Sequence, residues 1–516
     1  MSERVDSVAV PTAATGGTAA ATATGGFAPG LERAFELIPE EGSWRLAARQ
    51  GEVPPGIRGT CYSNGPARFG RGAMRYRHWL DGDGMVSALR FDSEGVGFCN
   101  RFVRSDKWRA EEAAGRFLYR TFGTGFPGDR LVRGVALESP VNVSVYPFAG
   151  TLLACGEQGQ PWELDPVTLA TRGRFGFGGS LNALSPFSAH LKIDAQTGEL
   201  WNFGVSFSAD EPRLNLYRFT PGGKLLYRRR LPLERPVSLH DFCLAGRHMV
   251  FYLSPYVLDL AALARQGRTL EESLDWRPEL GSQLLVVARE SGEKVVALPI
   301  GNRYSLHGIN SFEEGDLLHV DVVELDRPVY DQYRVLPDLF TEVGPGRAVR
   351  FTVDLRRGEL AGRRELGYEL APDFPAIDAR RLGRSYDDLW MLGISATGRS
   401  GRKFFDQLVH LRWSRPEAAD LWQAPPGTYL AAEPVFIPDS GGERGAAGAG
   451  GEGGSGAAGA GEGGGGGYIL CPLLDCVRRE SSFLLFDAHD VAAGPRLVLP
   501  LPSPIHLAFH ACFAAE

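Results

Sequence analysis

A β-propeller is the fold class this sequence predicts, and three observations predict it. Short apolar or alternating runs of strand length recur along most of the chain, separated by Gly, Pro, Asp and Asn. Helical periodicity is confined to two stretches, 107–116 and 256–266. Two segments read as complete hairpins: "LKIDAQTGELWNFG" with a D-A-Q-T-G turn, and "LYRFTPGGKLLYRRRL" with a P-G-G turn. Antiparallel hairpins repeated over roughly 450 residues are best closed into a ring, which leaves few unpaired strand edges.

In chain order, residues 1–30 are rich in Ala, Thr and Gly, lack a long apolar core, and read as a disordered tail. Strand-length runs follow at 141–146, 151–155, 200–205, 214–220, 248–253, 283–288, 317–323, 348–354, 407–413, 468–474 and 482–487. A length of 516 residues would allow three domains, but one propeller spanning 31–516 accounts for it. The chain holds 66 glycines, and 16 of them fall in 441–467. That stretch has no hydrophobic anchor and reads as a disordered loop inserted between two strands.

The composition narrows the function. With 55 basic and 62 acidic residues the net charge is −7, so no basic excess exists for a nucleic-acid partner. Seven cysteines with no C-x-x-C pair point to reduced thiols in a cytoplasmic chain rather than a disulfide framework or zinc site. No run of 18 apolar residues occurs.

Four of the ten histidines stand out by spacing and context. His190, His240, His307 and His510 are 50, 67 and 203 residues apart, so each falls in a different hairpin region. Single histidines on separate blades can converge on a propeller axis as metal ligands. Their contexts read "SAHLKIDAQTGELWNFG", "SLHDFCLAGRHMVFYLSP", "SLHGINSFEEGDLLHVDV" and "PSPIHLAFHACF". Further blocks are "GTCYSNGP" at 59–66, "HWLDGDGMV" at 78–86, "NRFVRSDKW" and "AAEPVFIP". Together these resemble, in the expected order and from about Pro54 to Phe513, the carotenoid cleavage oxygenase family. That family includes lignostilbene dioxygenases, apocarotenoid oxygenases and the retinal isomerohydrolase.

The resemblance implies a seven-bladed propeller capped by a dome of loops and helices. It implies a non-haem Fe(II), Fe2+, on the axis, held by His190, His240, His307 and His510. It implies three carboxylates behind the rings, at Glu157, Glu433 and Asp373. Asp373 departs from the family's glutamate in "DFPAID", so either the backbone shifts or the contact lengthens. Leu191 and Ala511 replace the family's usual Pro and Gly. His78, His248 and His319 read as structural, His506 as the weaker competitor of His510, and "DGDG" at 81–84 as a tight turn between two strands.

The activity implied is oxidative cleavage of a conjugated C=C bond of a carotenoid or apocarotenoid by O2, giving two carbonyl products. An alternative is a phenolic stilbene dioxygenase, in which Tyr76 and Lys107 occupy the places that hold a phenolic hydroxyl in that branch. A further alternative is a non-catalytic propeller that binds a hydrophobic ligand. The partners expected are an apolar polyene or stilbene and O2. The apolar stretch 250–266, "VFYLSPYVLDLAALARQ", reads either as a helix touching a membrane surface peripherally or as one buried in the dome.

Overall fold

The computed structural model describes residues 28–131, 137–207, 211–329, 335–439 and 466–516. The tail expected over 1–30 and the Gly-rich loop expected over 441–467 therefore lie almost wholly outside the described residues. Among the described residues, seven antiparallel sheets of four or five strands follow one another along the chain. In each of blades two to six, consecutive strands pair as neighbours, as hairpin repetition requires.

Blade two comprises Ser144–Phe148, Thr151–Cys155, Trp162–Leu164 and Thr171–Arg174. Blade three comprises Lys192–Ile193, Leu200–Ser206, Arg213–Phe219 and Leu225–Pro232, the two hairpins expected from the sequence. Blade four begins at Cys243–Leu244, blade five at Gly308–Glu314, blade six at Asp373–Ala376 and blade seven at Thr428–Leu430. Blade one is built from both ends of the chain: Ala511–Ala515 pairs antiparallel with Gly59–Arg68, Cys61 opposite Phe513. Sequence-distant strands thus close the ring.

The burial pattern explains why these strands read as they do. Middle strands such as Thr151–Cys155 are buried at every position, because neighbouring blades cover both faces. Outer strands such as Ala419–Gln423 alternate between exposed and half-buried. Aromatic side chains fill the space between blades, Phe203 packing edge-on against Phe242 and Phe251. Each such fully buried ring contributes about 1.5–3 kcal/mol of burial.

Connections between blades pack over the axis as the dome. Trp79, Phe117, Phe340, Phe404 and Phe405 belong to one buried cluster there. Helix Asp106–Ala114 starts at Ser105, whose hydroxyl accepts from Trp108 N at 3.1 Å, and ends at Gly115 in the left-handed region.

Two expectations need correction. The helix expected over 256–266 is only Leu260–Arg265. Asp259 caps it, and Tyr256–Leu258 instead pairs with Leu274–Trp276 as a two-stranded sheet. Leu258, Ala262 and Leu263 are buried. No helix of the described residues is long and apolar enough to cross a membrane. The "DGDG" block is not a hairpin turn. A 3-10 turn, Trp79–Asp81, leads into strand Asp83–Asp92, and both carboxylates are buried. Gly84 lies against the Val141 carbonyl, where a Cβ would collide with backbone.

Candidate metal centre

Each candidate ligand stands just before the innermost strand of a blade. His190, His240 and His307 precede the first strands of blades three, four and five, and His510 precedes the closing strand Ala511–Ala515. Inner strands surround the axis and begin on the same face, so four remote residues meet. Side-chain nitrogens of the four, one from each, all lie within 4.8 Å of one another. His190 Nε2 and His240 Nε2 are 2.8 Å apart.

The backbone around them is held by buried polar side chains. Asn202 bonds Ser188 and the His190 carbonyl, and the Ser188 hydroxyl donates to the His240 carbonyl at 3.0 Å. Asn64 exchanges backbone bonds with Phe509 and His510 and donates its amide to Val141 and Ser144. Gly308 lets Cys243 come close behind His307, where a Cβ would strike the sulfur.

Carboxylates stand behind three rings. His307 Nδ1 lies 2.6 Å from Asp373 Oδ1. His240 Nδ1 lies 2.9 Å from Glu157 Oε1, and His510 Nδ1 3.4 Å from Glu433 Oε2. The shorter Asp373 side chain thus reaches its ring directly. It also accepts from Phe374 N at 2.8 Å, and Phe374 adopts a left-handed φ of 52°, so the backbone is bent to seat it. Glu157 is the most open of the three, with 43% of its side chain exposed.

The sequence reading did not single out a fourth carboxylate. Asp241, in the H-D-F block, has an oxygen 3.5 Å from His190 Nδ1 and 2.9 Å from Lys192 Nζ. It also accepts from Phe242 N and Gly308 N. One buried group thus joins three ligand segments. Its signal was present: Lys192 and Asp241 sit inside the two motifs that carry His190 and His240.

The electrostatics suit a cation. Burial, then the charges of the other three rings, lowers His190 well below the ordinary imidazole value, so it is neutral at pH 7. Burial also lowers His510. Burial acts downward on His307 too, but the adjacent Asp373 outweighs it and raises the ring. Nε2 of His307 is buried with no partner, and the Nε2 atoms of His190 and His240 face each other at 2.8 Å, where their lone pairs can converge on one cation. Four imidazoles fit a divalent transition ion. Ligation requires deprotonated rings, so metal uptake should weaken as pH falls, His307 taking up a proton before His190 and His510. Metal-free protein dialysed against Co(II) is expected to hold less metal at about pH 5.5 than at about pH 8. Equal metal content at both values would contradict this.

A cavity opens on the centre. His240, His307, His510 and Asp373 form part of its wall, and the remainder is apolar, with Trp79, Phe340, Phe374, Phe405 and Phe509. Trp79 is locked by an indole bond to the Leu507 carbonyl at 2.8 Å and packs 4.4 Å from Phe509, centroid to centroid.

Tyr76 and Lys107 lie together and point inward. Lys107 Nζ donates to Tyr76 Oη at 2.6 Å, to Asp83 Oδ1 at 2.8 Å and to Glu111 Oε2 at 2.8 Å. Neither Tyr76 nor Lys107 is in the wall of that cavity. His78 caps the Trp79–Asp81 turn, His248 pairs with Glu313, and His506 bonds the Leu37 carbonyl, so none joins the centre.

The sequence model of the retinal pigment epithelial membrane protein family matches residues 35–515. Apocarotenoid-15,15'-oxygenase of Synechocystis is 27% identical over 92% of this chain and 94% of its own. Lignostilbene-alpha,beta-dioxygenase isozyme III of Sphingomonas paucimobilis is 26% identical over 89% and 92%. The crystal structure of cobalt-substituted Synechocystis apocarotenoid oxygenase superposes with a TM-score of 0.81 at 25% identity, over 94% of this chain and 98% of that one. Seven blades, four converging histidines and a family match along nearly the whole length make this chain an oxygenase of the retinal pigment epithelial membrane protein family, the carotenoid cleavage oxygenases.

Proposed function

We propose that this chain is a non-haem Fe(II) dioxygenase that cleaves a conjugated C=C bond of a carotenoid or apocarotenoid. One O2 is consumed, the C=C bond breaks, and each oxygen atom ends in one carbonyl product. The observation that carries this reading is the position of His240, His307 and His510, with Asp373 beside His307, in the wall of a cavity whose remaining lining is apolar and largely aromatic. A polyene has no polar handle, and such a wall binds it by desolvation. A redox-active metal held by His190, His240, His307 and His510 supplies the chemistry with O2.

The chain's own part is positional. Glu157, Asp373 and Glu433 accept Nδ1–H from three rings, fixing the tautomer that turns each Nε2 lone pair inward. Trp79, Phe340, Phe374, Phe405 and Phe509 align the alkene and exclude water. Leu258, Ala262 and Leu263 are buried, which favours packing of that stretch in the dome.

A second reading, a phenolic stilbene dioxygenase, is favoured by the buried Tyr76–Lys107 contact. A phenol would have to enter a cluster whose ammonium already has three acceptors. The two readings separate on Tyr76→Phe, which keeps the ring stacked on Phe117 at 3.8 Å and removes only the hydroxyl. Iron-loaded wild type and variant are incubated aerobically with an apocarotenal and with a 4-hydroxystilbene, and the aldehydes are identified. The first reading predicts apocarotenal cleavage unchanged in the variant. Stilbene cleavage alone, falling about tenfold or more in Tyr76→Phe, supports the second. Iron-loaded protein that cleaves neither is the binding protein of the third reading.

A further inference from the structure

A second cluster of ligand-type side chains lies away from the axis, on the seam between blades six and seven. Asp388 is on strand Asp388–Gly393 and His410 on strand Gln407–Arg412 of blade six. His489 follows strand Glu480–Asp487 of blade seven. One donor atom from each lies within 4.8 Å of the other two. Asp388 Oδ1 is 2.7 Å from His410 Nε2 and 3.6 Å from His489 Nδ1. We infer that Asp388, His410 and His489 form a binding site for a divalent transition cation of the zinc type, joining blade six to blade seven.

The donor set and spacing carry this. Two imidazoles and one carboxylate are borderline ligands suited to zinc and its neighbours. Ligands about 2.0–2.1 Å from a tetrahedral ion stand roughly 3.3 Å apart, between the two distances observed. The shorter distance is close to the 2.8 Å between His190 and His240 at the axial centre.

The site is also preorganised. The His410 ring lies parallel to Trp390, at 12° and 5.1 Å. The Trp390 indole donates to the Ala488 carbonyl at 2.7 Å and so anchors the residue beside His489. His489 N donates to Asp487 Oδ1 at 3.0 Å, and Asp420 receives Val491 N and Ala492 N just beyond. The side chains of Asp388 and His489 are 22% and 35% exposed, which leaves an entry path and room for a water as fourth ligand.

The competing arrangement is a simple hydrogen-bonded triad, with His410 Nε2–H donating to Asp388. His410 Nδ1 has no partner, and it bears on both arrangements, a bare lone pair in one and a bare N–H in the other. Zinc binding separates them.

The experiment uses iron-loaded full-length protein, with Zn2+ as the probe. Metal content by mass spectrometry and the thermal midpoint are read for wild type, His489→Gln and Asp388→Asn. The expected result is about one zinc per chain beyond the iron, with iron content unchanged. The wild-type midpoint should rise with zinc concentration, as for any ligand bound only by the native state. In His489→Gln the extra zinc and the midpoint rise should both disappear, while iron content and alkene cleavage stay at wild-type level. Asp388→Asn should likewise lose the zinc. No zinc beyond the axial site in wild type, or zinc uptake by both variants at the wild-type level, would overturn the inference. Neither result bears on the iron reading, because iron is counted separately.

Discussion

Lys107→Met is expected to destabilise the protein by about 3–5 kcal/mol, the cost of removing one partner from a buried ion pair. Lys107 is fully buried, and its ammonium is bonded to Tyr76, Asp83 and Glu111. The side chains of Asp83 and Glu111 are 2% and 0% exposed. Burial alone would lower the lysine's pKa, but these two carboxylates outweigh it and raise the value, so the cation is firmly held. Methionine keeps the volume and removes the charge. Asp83 then keeps Arg71, while Glu111 keeps the Tyr76 hydroxyl at 3.4 Å and the amides of Leu118 and Tyr119, all uncharged donors. The shift is read as the urea midpoint of metal-free protein. Arg109→Ala, two residues along on the exposed face of the same helix, should change stability by no more than about 0.5 kcal/mol. A wild-type midpoint for Lys107→Met would show that the cluster contributes nothing to the fold.

Asp373→Asn is expected to weaken metal binding about 10–100-fold, the usual cost of losing a carboxylate behind a ligating imidazole. The variant keeps size and shape but removes the charge 2.6 Å from His307 Nδ1. The amide also presents a donor as readily as an acceptor to that nitrogen. Glu433→Gln, acting across 3.4 Å, should cost less. Competition of each variant with a chelator for Co(II) ranks them. A larger loss in Glu433→Gln than in Asp373→Asn would contradict the geometry.

Much of the ring was legible because its blades are local. Thr151–Cys155 and His248–Leu253 begin and end where their apolar runs do, and both blade-three hairpins carry their own turn residues. What was hidden depends on contacts between remote segments. Pairing of Ala511–Ala515 with Gly59–Arg68 leaves no local pattern. The stretch 256–266 has helical spacing, yet its first three residues are taken by a strand partner at 274–276. At the centre, resemblance named the four histidines and three carboxylates. Asp241 and Lys192 were printed in the same motifs, but a side chain reaching from one blade to its neighbour has no periodicity to read. Lys107 shows the reverse case. A lysine at the start of a charged helix reads as solvated, and only Asp83 and Glu111 explain its burial.

Iron retention by His307→Ala tests the central claim most directly. Protein reconstituted with Fe(II) without oxygen and washed with a mild chelator is analysed by mass spectrometry. Wild type is expected to keep about one iron per chain and His307→Ala less than about a tenth of that, because three remaining rings leave an open, weaker site. One iron per chain in His307→Ala, or none in wild type, would contradict an iron centre built from His190, His240, His307 and His510.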